Sequence, residues 1–255
     1  MSRLRAGAFV LCLASLPLTS CVSAGHQGTA TADEIFPSRY LEAILRAPAG
    51  YDSSRTYPLL VALHGNGGTA FGLAPRLASL AAASFFVAVP QGEYPGAGGG
   101  YSWFEATTDR RDWELSDAHV VATVVALVEA LRSHYRIGKV FVLGFSQGAS
   151  LAYLTALRNP SLVAGVVAIS GGLPPIDTAG AIVHAQDVAA ARSVRVFVAR
   201  GTEDPYVSRR AFLGQRDFFA SRGYAVTAFE FPGGHEVPDA VMSRVRAWLR
   251  EAVQE

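Results

Sequence analysis

Apolar and polar positions along this chain alternate between two patterns from about residue 40 onward. Short apolar runs at 40–45, 58–63, 85–89, 140–143, 163–169, 194–199 and 225–231 have the length of strands. Several are apolar at every position, as a strand covered on both faces must be. Between and after them, the stretches 73–83, 115–135, 147–158, 209–222 and 237–253 space their apolar residues at helical intervals. Strand and helix in regular alternation predict a doubly wound, mostly parallel sheet with helices on both faces. No internal repeat or long polar linker interrupts the pattern, so 39–255 reads as one domain.

Ligands of such sheets bind beyond the carboxyl ends of the strands, so chemistry is sought in the loops that follow them. Four loops carry it: His64-Gly-Asn-Gly-Gly68, Gly144-Phe-Ser-Gln-Gly148, Arg200-Gly-Thr-Glu-Asp204 and Pro232-Gly-Gly-His235. The second joins an apolar run directly to a helical one, and its two glycines leave room for a tight strand-to-helix turn with Ser146 at the apex. Ser146 is therefore the candidate nucleophile. A serine hydroxyl is barely ionised at neutral pH, so it needs a base and a carboxylate to orient that base. Of six histidines, His26 precedes the domain, His119 and His134 fall within a helix, His184 lies in an irregular insertion and His64 opens the first loop. His235 alone sits between the last strand and the final helix, where the chain order Ser, acid, His puts the base. Asp204 follows the strand 194–199 and precedes Pro205, which makes it a turn residue and the candidate acid. Glu203 beside it would point elsewhere, and Asp177 and Asp187 in the polar insertion are weaker rivals. The oxyanion of a tetrahedral intermediate needs backbone N–H donors, and Gln147 and Asn66 are the candidates, Asn66 because its glycine neighbours let the backbone approach a substrate. The first loop lacks the lysine and Ser/Thr of a phosphate-binding loop.

Taken together, Leu63-His-Gly65, Gly144-Phe-Ser-Gln-Gly-Ala149, Gly201-Thr-Glu-Asp-Pro205 and Gly234-His235 resemble the oxyanion loop, elbow, acid turn and base of the phospholipase/carboxylesterase family of α/β-hydrolases, which includes acyl-protein thioesterases. Ser-Trp103-Phe104-Glu105 resembles that family's Trp-Phe-acid stretch beside the substrate groove. The resemblance spans roughly 40–249. It implies an α/β-hydrolase fold, substrate contacts at Trp103 and Phe104, no metal or organic cofactor, and a serine carboxylesterase that hydrolyses small-molecule esters through a covalent acyl-enzyme. Asn66 departs from the apolar residue that cytosolic members often carry there, and secreted feruloyl, acetyl-xylan and polyhydroxybutyrate esterases share a similar layout. A serine peptidase, an acyltransferase, or a lysophospholipase or thioesterase would use the same site. A different class, an envelope-binding lipoprotein with a vestigial site, has no physical need to keep all three groups.

The first twenty residues stand apart. Arg3 and Arg5 precede an apolar run, and Leu18-Thr-Ser-Cys21 then resembles a bacterial lipobox. This reading makes 1–20 a lipoprotein signal peptide, Cys21 the lipidated N-terminus and 21–38 a flexible tether, with export to the cell envelope and a lipid anchor in its membrane. The apolar run is short for a span of about 20 residues. Cys12 would leave with the signal, so no disulfide forms within the mature chain. Apolar residues make up 50% of the chain, charged residues 17%, and the net charge is +1. These values fit a compact globular protein and offer no basic stripe for nucleic acid. The insertion 171–192 is the one stretch with room for a lid, and it has no long apolar run to line an acyl tunnel. Small or aromatic acyl esters are therefore expected over long-chain lipids.

Overall fold

The computed structural model describes residues 34–37, 41–81, 84–96, 98–105 and 109–254. The expected signal peptide, Cys21 and most of the tether lie outside them. Among the described residues, eight strands form one sheet: β1 (Glu34–Pro37), β2 (Glu42–Arg46), β3 (Tyr57–Leu63), β4 (Phe86–Pro90), β7 (Ile137–Phe145), β8 (Val163–Ile169), β9 (Arg195–Gly201) and β10 (Val226–Phe231). Across the sheet they run β1-β2-β4-β3-β7-β8-β9-β10. β1 and β2 are antiparallel to their neighbours, and every other pairing is parallel. β5 (Tyr94–Pro95) and β6 (Tyr101–Ser102) make a separate hairpin. The helices are α1 (Ala70–Leu73), a 3-10 turn (Ala74–Leu77), α2 (Ala78–Ala81), α3 (Arg110–His134), α4 (Gln147–Arg158), α5 (Ala185–Ala190), α6 (Arg209–Ala220) and α7 (Asp239–Gln254).

The period-two alternation of a strand divides its side chains between two cores. Leu59, Val61 and Leu63 of β3 pack on the side of α3 and α4, while Leu60 and Ala62 pack on the side of α1, α2 and α7. Both faces are thus covered, which is why the inner strands read as unbroken apolar runs. α7 shows the complementary pattern: Val241, Val245, Trp248, Leu249 and Ala252 recur at three- and four-residue intervals and are all buried.

The strands lie within a few residues of the sequence expectation, and the differences have local causes. The helix expected at 73–83 breaks into three short pieces around Pro75, whose missing N–H prevents a continuous α-helical ladder. The helix expected from 115 begins five residues earlier, because the Asp109 carboxylate accepts from the Arg111 N–H at 2.9 Å and caps it. Residues 34–37, assigned to the tether, instead pair as edge strand β1. Phe36 is buried there against the rings of His134 and Tyr135, 5.4 and 6.4 Å away between centroids. The insertion 171–192 is anchored in the body of the protein, with Val183, Val188 and Ala191 buried in the same core as α4.

Candidate active site

Ser146 stands between β7 and α4 with φ +54° and ψ −118°. That is a conformation a residue with a Cβ adopts only when its surroundings impose it. The sequence provides for it at two positions. A Cβ on Gly144 would lie 2.0 Å from the Gly148 carbonyl oxygen, and one on Gly148 would lie 2.4 Å from that of Leu63. The turn is held from the neighbouring strand, since the Ser146 N–H donates to the Ile169 carbonyl at 2.9 Å. Gln147 is the first residue of α4, so its backbone N–H has no acceptor within the helix.

Asp204 and His235 meet beyond the ends of β9 and β10. His235 Nδ1 lies 3.1 and 3.0 Å from the two carboxylate oxygens of Asp204. The two loops are laced together: the Thr202 N–H donates to Phe231 and the Glu203 N–H to Gly233, at 2.8 and 2.9 Å. A Cβ on Gly201 would lie 2.1 Å from the Gly234 carbonyl, so only glycine permits this approach. Burial of the Asp204 carboxyl favours its protonated form, but the N–H groups of Val207 and Tyr206, 3.0 and 2.9 Å from Oδ1, outweigh it together with Ser170 and His235. The net effect holds the carboxyl below its ordinary value, and it stays ionised. Ser170 contributes through a buried hydroxyl that makes no hydrogen bond of normal geometry. The rival carboxylates are engaged elsewhere: Asp187 caps α5 and pairs with Arg158, and Asp177 faces His184. Glu203 is exposed. The His235 ring lies between Phe145 and Tyr206, 4.8 Å from each between centroids. Phe145 directly precedes Ser146, and this contact brings His235 to the elbow.

The loop after β3 is fixed from beneath. His64 is buried, and its Nε2 accepts from the Gly92 N–H at 3.0 Å, which leaves Nδ1 to donate to the Gly65 carbonyl at 2.8 Å. Burial pushes its pKa down, so the ring stays neutral. The Gly67 N–H and carbonyl-bearing Gly68 pair with Tyr101 of the β5–β6 hairpin at 2.9 Å each. A Cβ on Gly65 would lie 3.2 Å from Ser146 Cβ, which brings this loop's backbone alongside the serine. Asn66 is exposed on a cleft of about 350 Å³ that Gly65, Phe145 and His235 also line.

Trp103 requires a correction. It is fully buried, and its indole N–H donates to the His64 carbonyl at 2.7 Å with the two rings 4.6 Å apart. It supports the loop after β3 and presents no surface to a substrate. Phe104 is only partly buried and lines a second hollow.

A family model described as Phospholipase/Carboxylesterase matches residues 51–253. The chain belongs to this family. Within it, the chain is 39% identical over 78 residues to acyl-protein thioesterase 1 of Mycosarcoma maydis, a match covering 31% of this chain and 30% of that protein. The fold is that of the carboxylesterase from Mesorhizobium loti (TM-score 0.68, 22% identity, 86% of this chain and 98% of that one) and of the Bacillus cereus carboxylesterase (TM-score 0.66, 19% identity, 84% and 95%). The expected α/β-hydrolase fold is therefore the one this phospholipase/carboxylesterase family member adopts.

Gln91, and the side-chain ties of Gln147 whose backbone N–H is the expected oxyanion donor, are not legible in the sequence. The Gln147 side chain accepts from the Trp103 N–H at 3.0 Å and donates to Ser102 Oγ at 2.9 Å, tying the elbow to β6. Gln91 bridges the His64 ring and the Ala70 N–H, at 3.0 and 2.9 Å. Gln147 lies within the expected elbow and Gln91 follows β4, away in sequence from the four loops expected to carry chemistry, and nothing in the spacing distinguishes these side chains from solvated ones. The two aromatic neighbours of His235 were legible only by their places in the chain, Phe145 directly before Ser146 and Tyr206 two residues after Asp204.

Proposed function

We propose that the protein is a serine carboxylesterase working through a covalent acyl-enzyme. The observation that carries this reading is the bridging of both Asp204 oxygens by His235 Nδ1, with the imidazole packed on the residue before a strained Ser146. With Nδ1–H held by Asp204, Nε2 keeps a lone pair to take the Ser146 proton as Oγ attacks the ester carbonyl. The N–H groups of Gln147 and Asn66 stabilise the oxyanion, and His235 then returns its proton to the leaving alcohol. Water, deprotonated by the same imidazole, releases the acid.

Family membership and the carboxylesterase neighbours support the ester class. The local identity to an acyl-protein thioesterase favours a second substrate for the same site, an acyl thioester. Ser146→Ala should lower kcat/KM for nitrophenyl esters by about 10⁴-fold or more with the circular dichroism spectrum unchanged. Undiminished hydrolysis in that variant rejects the nucleophile. Matched oxyester and thioester pairs compared by kcat/KM decide between the two substrates.

The proposal extends to location. Leu18-Thr-Ser-Cys21 supports cleavage before Cys21 and lipid anchoring at the cell envelope. Cys21→Ser should remove the protein from the membrane fraction, and a mature N-terminus at any other residue contradicts the anchor.

A further inference from the structure

A second hollow of about 570 Å³ lies between Phe104, Glu105, the first turns of α3 and residues 175–180, and no step of the proposed reaction uses it. Two of its walls belong to segments that flank the serine. One is Phe104 and Glu105: the Phe104 carbonyl accepts from Ser102 Oγ at 2.9 Å, and that hydroxyl is bonded to the Gln147 side chain. The other is the chain leaving β8, which contributes Pro175 and Gly180. Four residues before Pro175, a Cβ on Gly171 would lie 2.5 Å from the Ser146 carbonyl oxygen. An arm of an ester bound at Ser146 that followed either segment would enter this space. The first turns of α3 close it with Trp113 and Asp117.

The charged side chains on these walls are Glu105 and Asp117, both acidic, and no cationic side chain lines the hollow among the described residues. Asp117 is half-buried and has neither hydrogen bond nor ion pair among them. Two aromatic rings, Phe104 and Trp113, line the same space. A carboxylate withdrawn from water without a partner is unfavourable, and an apolar acyl chain filling the hollow would withdraw it further. A neutral hydroxyl would answer one lone pair and leave the charge. A cationic nitrogen answers the charge and gains from the aromatic faces as well.

We propose that this hollow is a subsite for a cationic nitrogen, so that the favoured substrates are carboxylic esters bearing an ammonium group on the acyl or alcohol arm. The inference rests on the esterase reading above. Burial alone lifts the Asp117 carboxyl to about 6, which agrees with a group waiting for a counter-charge and leaves it ionised at neutral pH.

Two isosteric pairs test it, each differing only in N⁺ against C. On the alcohol side, 2-(trimethylammonio)ethyl acetate is compared with 3,3-dimethylbutyl acetate. On the acyl side, the nitrophenyl ester of 4-(trimethylammonio)butanoate is compared with that of 5,5-dimethylhexanoate. In the wild-type enzyme the charged member of one pair should have the higher kcat/KM by about tenfold, and that pair identifies the arm. In Asp117→Asn the ratio should fall towards one. Turnover of both pairs with ratios at or below one in the wild type overturns the subsite and leaves the esterase standing. A preference that survives Asp117→Asn overturns the assignment to this hollow. Absence of turnover for all four esters overturns the esterase reading, and the subsite with it.

Discussion

His235 is positioned by contacts on three sides, two from the loop after β9 and one from the elbow at the end of β7. Asp204 holds Nδ1, Phe145 supports one side of the ring and Tyr206 meets it edge-on at 71°. The Asp204 carboxylate is itself fixed, because Oδ1 accepts from two backbone N–H groups in its own turn. Asp204→Asn keeps an oxygen for those donors but presents the imidazole with an ambiguous partner, so kcat should fall by about 10³–10⁴-fold with little change in melting temperature. Asp117 makes the opposite prediction, one of stability. Its folded pKa of about 6 lies above the ordinary 3.8, so the native state binds a proton more tightly than the unfolded chain. Stability is therefore lost as pH rises from about 4 through about 6. The full shift corresponds to about 3 kcal/mol, and residual exposure reduces the expected effect to about 1 kcal/mol. Asp117→Asn should unfold at higher urea than the wild type at pH 8 and at the same concentration at pH 4. Equal midpoints at both values contradict the burial argument.

The elbow is an element whose backbone was legible before its side-chain ties. Gly144, Ser146 and Gly148 announce it by spacing, and the close approaches at both glycines are the physical content of that spacing. Gly144→Ala should cost at least about 3 kcal/mol, since its Cβ meets backbone that cannot move aside. Gly214→Ala in α6 is the control: nothing lies within 4 Å of its Cβ, and it should stabilise by about 0.5–1 kcal/mol. Denaturant midpoints of the two variants check both signs. The missed elements have little pattern to read. β5 and β6 pair over two residues each across the glycine-rich run 96–100, where no alternation exists. α5 has six residues, fewer than two turns, and β1 carries its signal in Phe36 alone. The hairpin matters all the same, because Tyr101 pairs with the loop after β3 and Ser102 reaches Gln147.

At the scale of the whole molecule, the sheet order brings together residues that the chain keeps far apart. β3, β7, β9 and β10 lie in or beside the parallel part of one sheet, so the loops at 64–68, 144–148, 200–204 and 232–235 emerge at the same edge. The three groups of the proposed triad were readable for that reason: each follows a strand in the expected chain order. Trp103 was misread because an aromatic near a groove in sequence can lie beneath it in space. Phe145, Gln147 and Asp117 act through neighbours distant in sequence, which periodicity does not report. In the proposed reaction Ser146 alone forms the acyl-enzyme. The most direct measurement is intact-mass and peptide analysis after treatment with a fluorophosphonate. One adduct per chain is expected, on the peptide containing Ser146, and none in Ser146→Ala. An adduct on another residue, or none on an enzyme that still hydrolyses esters, would contradict it.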